Sequence, residues 1–181
     1  MRTFALGTAA AIVLTTGTAL AGNVEWNLDK GHTTIGFSVR HLGITKVKGQ
    51  FNDFEAKIEA DGKTARISKV EATAKATSVD TGIQGRDDHL RGDDFFSVDK
   101  YPTITAKTRK ITFSGNQVTA ETDFTMRGIT KRVVFKGELL GVQKVDFGSG
   151  PQLRAGYSIE TKISRKDFGL KFNAVAEGIA A

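Results

Sequence analysis

Four aspartates and one histidine fall within eight consecutive residues of the stretch GRDDHLRGDDFF: Asp87, Asp88, His89, Asp93 and Asp94. Carboxylate oxygens and imidazole nitrogens bind divalent metals and act as general acids and bases. A metal site would need three or four such ligands converging on one ion at about 2 Å. The cluster therefore raises the hypothesis of an enzyme or metalloprotein, which depends on how the backbone arranges these side chains.

The spacing of charged and apolar residues between positions 82 and 97 predicts one short helix. Asp87 and Arg91 are four residues apart, so they should share one helical face and form a salt bridge. Gly92 then ends the helix. Because consecutive helical residues point about 100° apart, adjacent members of the cluster cannot all face one ion. The residues favour helix capping and ion pairing, and we expect no metal site.

Motifs for other chemistries are lacking in the sequence. It has no Gly-x-Ser-x-Gly elbow for a strained nucleophile and no Gly-x-Gly-x-x-Gly or Walker pattern for a nucleotide. We therefore expect no catalytic residue and no cofactor, and a protein that is not an enzyme. An enzyme or metalloprotein that uses the Asp87 to Asp94 cluster remains the less favoured alternative.

The first 21 residues resemble a secretory signal peptide. Arg2 precedes an uncharged stretch from Thr3 to Leu20, and Ala19-Leu20-Ala21 is a typical cleavage pattern. An uncleaved membrane anchor is the alternative, but the stretch barely reaches the roughly 20 apolar residues that span a bilayer. We predict cleavage after Ala21, a single domain over residues 22–181, and a periplasmic location. The absence of cysteine excludes disulfides.

The charge of the chain is moderately basic. The formal net charge is +6, and loss of Arg2 with the leader lowers it by one. No stretch is a compact basic patch, so a nucleic-acid partner is disfavoured. The surplus is compatible with transient contact with an anionic membrane surface, and equally with scattered lysines that only solvate the protein.

Strict alternation of apolar and polar residues runs through the chain from Asn23 onward, which predicts half-buried antiparallel strands. The runs at 45–60, 65–79 and 131–142 are long, and long coiled strands tend to close into a barrel. The alternation changes phase at Asn52-Asp53, where we expect a bulge or bend. We predict an all-β, antiparallel lipocalin-like barrel of about eight strands, with the short helix at its rim.

Four segments, taken in order, resemble the YceI family of secreted, lipocalin-like polyisoprenoid-binding proteins. They are Asp29 to Phe51, Ser78 to Pro102, Phe124 to Val134, and Arg154 to Leu170, the last ending in SRKDFGL. The resemblance implies an antiparallel barrel around an elongated apolar tunnel, and carriage of an isoprenoid or quinone-like lipid. It also implies a homodimer in many members and no known catalysis.

The C-terminus departs from the family pattern. The family generally continues past the DFGL motif into one more amphipathic strand, whereas only Val175 to Ala181 remain here. Either this sequence is a truncated product, or the barrel lacks the family's last strand and has one unpaired edge, which favours strand exchange or instability. A milder departure is Thr33, where the family usually has serine.

The candidate ligand-binding residues are the apolar side chains expected to face the barrel interior and the charged side chains expected at its rim. We expect the tunnel to be lined by Ile35, Phe37, Val39, Val47, Phe51, Phe124, Met126, Val133, Phe135, Tyr157 and Ile159. For a lipid head group at the rim, the candidates are Arg86, His89, Arg91 and Arg127. The alternative is a ligand-free stress-related or interaction module, because small barrels can be filled by their own side chains.

Overall fold

The computed structural model describes residues 4–6, 14–15, 22–41, 44–148, 150–170 and 172. Within these residues, twelve strands form one antiparallel sheet that curls into a half-barrel. The strands are β1 (Phe4–Leu6), β2 (Leu14–Thr15), β3 (Asn23–Leu28), β4 (Ile35–His41), β5 (Thr45–Phe51), β6 (Phe54–Asp61), β7 (Ile67–Lys75), β8 (Val79–Asp80), β9 (Thr103–Ser114), β10 (Gln117–Met126), β11 (Ile129–Asp146) and β12 (Pro151–Ile163).

The spatial order of the strands is β2-β3-β6-β7-β9-β10-β11-β12-β1-β4-β5-β8. Hairpins connect β9 to β10, β10 to β11 and β11 to β12, and these long pairs form the back of the half-barrel. The predicted all-β antiparallel class is confirmed. The strand number exceeds the expected eight because long runs are interrupted and because β1 and β2 add short pieces.

The predicted interruption at Asn52-Asp53 is confirmed. The strand β5 ends at Phe51 and β6 begins at Phe54, and the two pair with different neighbours. The dipeptide Arg127-Gly128 also predicts a hairpin turn, because glycine readily adopts positive φ, and the structure has a turn there with φ of 52° and 71° at the two residues. A type I′ turn has this conformation, and it matches the twist of the flanking strands.

The one α-helix among the described residues is α1 (Gln84–Arg91), inside the predicted stretch and followed by Gly92 as its C-cap. The predicted Asp87–Arg91 salt bridge is wrong. Arg91 Nη1 instead donates to Asp88 Oδ1 at 2.8 Å, and Asp87 accepts a hydrogen bond from the backbone N–H of Thr81 at 2.9 Å. Asp87 is buried against the loop before the helix, so its carboxylate satisfies that loop rather than the next helical turn.

Buried side chains form two clusters along the barrel. The cluster at the end that carries α1 is called the upper core here: Phe37, Phe51, Phe54, Ala74, Ala76, Val79, Phe96, Ile104, Phe124, Met126, Phe135, Ile163, Phe168 and Leu170. The cluster at the opposite end is called the lower core: Trp26, Ile58, Ala60, Ala65, Ile67, Val118, Leu139, Ala155 and Tyr157. The half-buried side chain of Leu28 packs against both clusters.

The short strand β1 lies inside the sheet rather than at its edge. The strand β1 lies between β12 and β4, with Phe4 opposite both Ile163 and Val39. A segment of the predicted leader thus pairs with two strands at once. Residues Val175 to Ala181, which were expected to be too few for the family's last strand, lie outside the described residues, so the unpaired edge stays a prediction. Across the described part of the chain, no helix has the length and apolarity to cross a membrane.

Candidate functional site

The upper core surrounds a small cavity whose lining residues are apolar except for one arginine. The cavity measures about 10 Å³, which is room for roughly one water molecule. The side chains that line it are Phe37, Phe51, Phe96, Ile104, Phe124, Met126, Arg165 and Leu170. In this part of the described structure, side chains therefore fill most of the space around the cavity.

Three of the side chains that close the upper core come from segments outside the sheet. Phe96 follows α1, and Phe168 and Leu170 lie in and after the 3-10 helix Arg165–Phe168. Each is at most 5% exposed, and the Phe168 ring packs edge-on against Phe124 with 5.5 Å between ring centroids. We call α1, residues 92–102 and residues 165–170 together the lid. These segments can move without breaking the sheet ladder.

The candidate tunnel residues are divided between the two cores. Phe37, Phe51, Phe124, Met126 and Phe135 are buried members of the upper core. The half-buried members that pack against it are Ile35, Val39 and Val133.

The remaining tunnel candidates lie elsewhere. Tyr157 is a fully buried member of the lower core, and the half-buried Ile159 packs beside it. Val47 is half-buried on β5 and, among the described residues, belongs to neither cluster. Burial raises the pKa of Tyr157 to about 12, and its hydroxyl donates to the carbonyl oxygen of Ala65 at 2.6 Å. The hydroxyl thus has a partner within the protein and needs no ligand.

Two of the rim arginines bind backbone carbonyls of the segment that precedes α1. Arg86 donates through Nη2 to the carbonyl of Thr81 at 2.8 Å. Arg91 donates through Nε to the carbonyl of Thr77 at 2.8 Å and through Nη2 to that of Val79 at 3.0 Å. These charge-assisted bonds fix the helix on the sheet. A head-group role for either arginine stays a prediction.

The other two rim candidates also touch the lid. Arg127 donates through Nη1 to the carbonyl oxygen of Phe95. His89 places Nε2 at 3.0 Å from Asp94 Oδ2, and its ring lies edge-on to Phe95 and Phe172, with 5.0 Å between centroids in both pairs. The His89 ring thus connects α1 to Phe172, and Arg127 adds a cation beside the lid.

The aspartates of the cluster are engaged by different partners. Asp88 accepts from Arg91 and from Gln84, the latter at 2.8 Å. The hydroxyl of Ser97 and the charge of Lys100 hold the pKa of Asp93 below its usual value. A search of the described residues finds no group of three or more metal-ligating side chains that could hold an ion. The carboxylates serve local hydrogen bonds and ion pairs.

Arg165 is a candidate site residue that was not predicted from the sequence. Its side chain is half-buried and is the charged member of the cavity wall. Local sequence cannot place Arg165, because its position relative to the interior depends on how the chain folds back after β12. Phe96, Phe168 and Leu170 are all buried in the upper core.

The architecture defines a class of protein: an antiparallel half-barrel with an apolar interior closed by a lid at one end. Comparison with known proteins identifies the family. A profile of the YceI-like domain matches residues 26–181, and the chain belongs to this family.

Relatives of known sequence or structure cover most of the chain. The UPF0312 protein plu2095 of Photorhabdus laumondii is 35% identical over 164 residues, 91% of this chain and 84% of that protein. Protein YceI of Escherichia coli O157:H7 is 34% identical over the same shares. The crystal structure of the Campylobacter jejuni YCEI protein superposes with a TM-score of 0.67 at 36% identity, covering 83% of this chain and 88% of that one.

Proposed function

We propose that the protein is a periplasmic carrier that holds the apolar tail of an isoprenoid or quinone-like lipid inside the barrel. The observation that carries the proposal is the composition of the upper core, whose cavity is lined by aromatic and aliphatic side chains and one arginine. Lipid-binding sites have this character, an apolar wall with few polar groups that orient the ligand. The leader-like sequence of residues 1–21 supports the location.

A bound tail requires the lid to open. Pockets for ligands of this size measure about 300–1,000 Å³, far more than the cavity of about 10 Å³. Displacement of Phe96 and Leu170, which line the cavity from outside the sheet, and of Phe168, which packs on the lining residue Phe124, would enlarge it. Apart from Arg165, which lies in the lid, the other lining side chains lie on strands and would then form the walls.

The interactions in such a complex would be almost entirely hydrophobic. Each buried methylene contributes about 0.8 kcal/mol, so a long tail supplies affinity without a specific polar contact. Arg165 on the cavity wall is suited to a carbonyl or phosphate oxygen of the head group, with Arg127 and His89 beside the lid. No reaction is proposed for these groups, and dimer formation in solution stays a prediction.

The closed cavity favours one second candidate function, a ligand-free module whose core is packed by its own side chains. The substitution Ala74→Phe separates the two functions. Ala74 is 5% exposed in the upper core and lies opposite Phe54 and Ile104 on the neighbouring strands. A phenylalanine at this position would extend into the space that the tail needs.

The experiment measures uptake of a quinone with a ten-carbon tail by the wild-type chain and by Ala74→Phe, with stability measured in parallel. A lipid carrier should bind the quinone, and the variant should lose most of that binding while it remains folded. Ala60→Phe in the lower core is the matched control for overpacking. Failure of the wild-type chain to take up quinone or isoprenoid would favour the packed module.

A further inference from the structure

The outer face of the β4–β5 hairpin carries three cations with no acidic neighbour in sequence. Arg40, Lys46 and Lys48 are all exposed, and no aspartate or glutamate occurs between residues 30 and 52. Arg40 lies directly opposite Lys46, and Lys48 lies opposite Ser38, so the three side chains project from the same face. Within the described part of the chain, no ion pair is recorded for any of them.

This pairing differs from the pattern on the rest of the sheet. Several cross-strand pairs elsewhere join opposite charges, as in Glu59 opposite Lys69 and Asp123 opposite Arg132. Like charges directly opposite one another destabilise a sheet, and the Arg40–Lys46 pair has no carboxylate to relieve it. In another like-charge pair, Glu25 opposite Glu59, the ammonium of Lys69 lies 3.5 Å from Glu59.

The nearest carboxylate along the adjoining strand is already engaged. Asp80 of β8 lies opposite Gln50 and lines the same shallow groove as Lys48. Its carboxylate accepts hydrogen bonds from the backbone of Gly82 at 2.8 Å and from the side chain of Asn52 at 3.1 Å. The three exposed cations of the hairpin are therefore available to an external partner.

An exposed apolar side chain lies beside these cations. Ile44, next to the start of β5, is 86% exposed, the highest value among the large exposed apolar residues described. An apolar side chain flanked by lysine and arginine suits the boundary between lipid head groups and acyl chains. The hairpin also adjoins the lid, since the ring of Phe51 at the end of β5 packs edge-on against Phe96 of the lid, with 5.6 Å between ring centroids.

We propose that Arg40, Ile44, Lys46 and Lys48 form a docking surface for an anionic phospholipid membrane, which places the lid end of the barrel at the lipid surface. This extends the proposed function by naming a partner of the lid end. Charge complementarity favours a phosphate-rich surface, and Ile44 favours a membrane over a soluble anion. Binding to vesicles does not require carriage of a lipid, so the two proposals can fail independently.

The test is co-sedimentation of the protein with vesicles of phosphatidylcholine that contain about 30% phosphatidylglycerol. The protein is used as the expressing bacterium processes it, and its mass is determined first. The double variant Lys46→Gln/Lys48→Gln should bind roughly 25-fold more weakly, since each cation near an anionic surface contributes about a fivefold factor. Ile44→Ser should also bind more weakly, and pure phosphatidylcholine should retain little protein.

The matched control is Lys107→Gln/Lys110→Gln, which removes the same charge from β9, where Lys107 lies opposite Glu71 and Lys110 opposite Glu121. This control should bind within about threefold of wild type. Equal losses in the two double variants would overturn the proposal in favour of a general charge effect. Absence of wild-type binding to the anionic vesicles would overturn it as well.

Discussion

Truncation of the lid side chain Phe168 should weaken the fold and strengthen lipid binding. Phe168 is 1% exposed and packs against Phe124 in the upper core. Phe168→Ala should therefore lower the free energy of unfolding by about 3–5 kcal/mol in the absence of ligand. In the lipid complex that we propose, this ring has already left the interior, so the same truncation costs much less there.

Because the truncation destabilises the closed conformation more than the lipid-bound one, it should raise the affinity for the lipid. A substitution that destabilises the closed conformation by more than about 1.4 kcal/mol relative to the open one raises the apparent affinity at least tenfold. The control is Ile58→Ala in the lower core, at a side chain with 0% exposure that is remote from the lid. It should cost about 2–5 kcal/mol of stability and leave the affinity nearly unchanged.

Urea unfolding measures the stability, and titration with a quinone carrying a ten-carbon tail measures the affinity. The reasoning predicts tighter quinone binding by Phe168→Ala and unchanged binding by Ile58→Ala. Weaker binding by Phe168→Ala would refute it, because Phe168 would then be part of the wall that contacts the ligand rather than part of the lid.

Three further predictions concern the fold. Gly137→Ala should lower the free energy of unfolding by more than about 3 kcal/mol, because the added Cβ would lie 2.0 Å from the Ser158 carbonyl oxygen. Gly141→Ala, which has open space around it, should leave stability nearly unchanged. Equal effects of the two substitutions in urea unfolding would contradict this prediction. Because burial raises the pKa of Tyr157 from 10.0 to about 12, its neutral form is favoured in the folded state. This preference contributes about 2–3 kcal/mol to the free energy of unfolding below pH 10, and the contribution is lost as pH rises toward 12. The free energy of unfolding of Tyr157→Phe should therefore decline less steeply than that of wild type between pH 10 and 12. Equal declines in the two proteins would contradict this prediction. Removal of residues 1–21 should speed hydrogen exchange at Thr161–Ile163, which pair with β1; unchanged protection would mean that another segment takes its place.

Local sequence rules predicted the elements of the fold well. Alternation of apolar and polar residues predicted the runs at 45–60, 65–79 and 131–142, which contain β5, β7 and most of β6 and β11, because each of these strands has one face toward the interior. The phase change at Asn52-Asp53 identified the break between β5 and β6, since a slip of one residue exchanges the two faces of a strand. Turn chemistry at Arg127-Gly128 was equally local, and the structure agrees with it.

The errors and omissions involve contacts between segments distant in sequence or in space. Asp87 pairs with Thr81 rather than with Arg91, because burial of the helix against the preceding loop decides which partner its carboxylate meets. Arg165 could not be placed at the cavity from sequence, because its position depends on the return of the chain over the upper core. The pairing of Phe4–Leu6 with β12 and β4 likewise has no signal in local periodicity.

The division of the inward row into two cores was also invisible in the sequence. The pattern marks which side chains point inward, and it treats Phe124 and Tyr157 alike. In the structure, Phe124 lines the closed cavity, whereas Tyr157 packs in the lower core with its hydroxyl bonded to Ala65. Whether an inward side chain contacts a ligand depends on the curl of the sheet and on the position of the lid.

The most direct test of lipid carriage is native mass spectrometry of the protein purified without detergent from the periplasm of expressing cells. The account predicts a population heavier than the polypeptide by the mass of one apolar lipid, which organic solvent releases and which can then be identified. Detection of the bare polypeptide alone, in wild type and in the lid variant Phe168→Ala after incubation with the quinone, would contradict it.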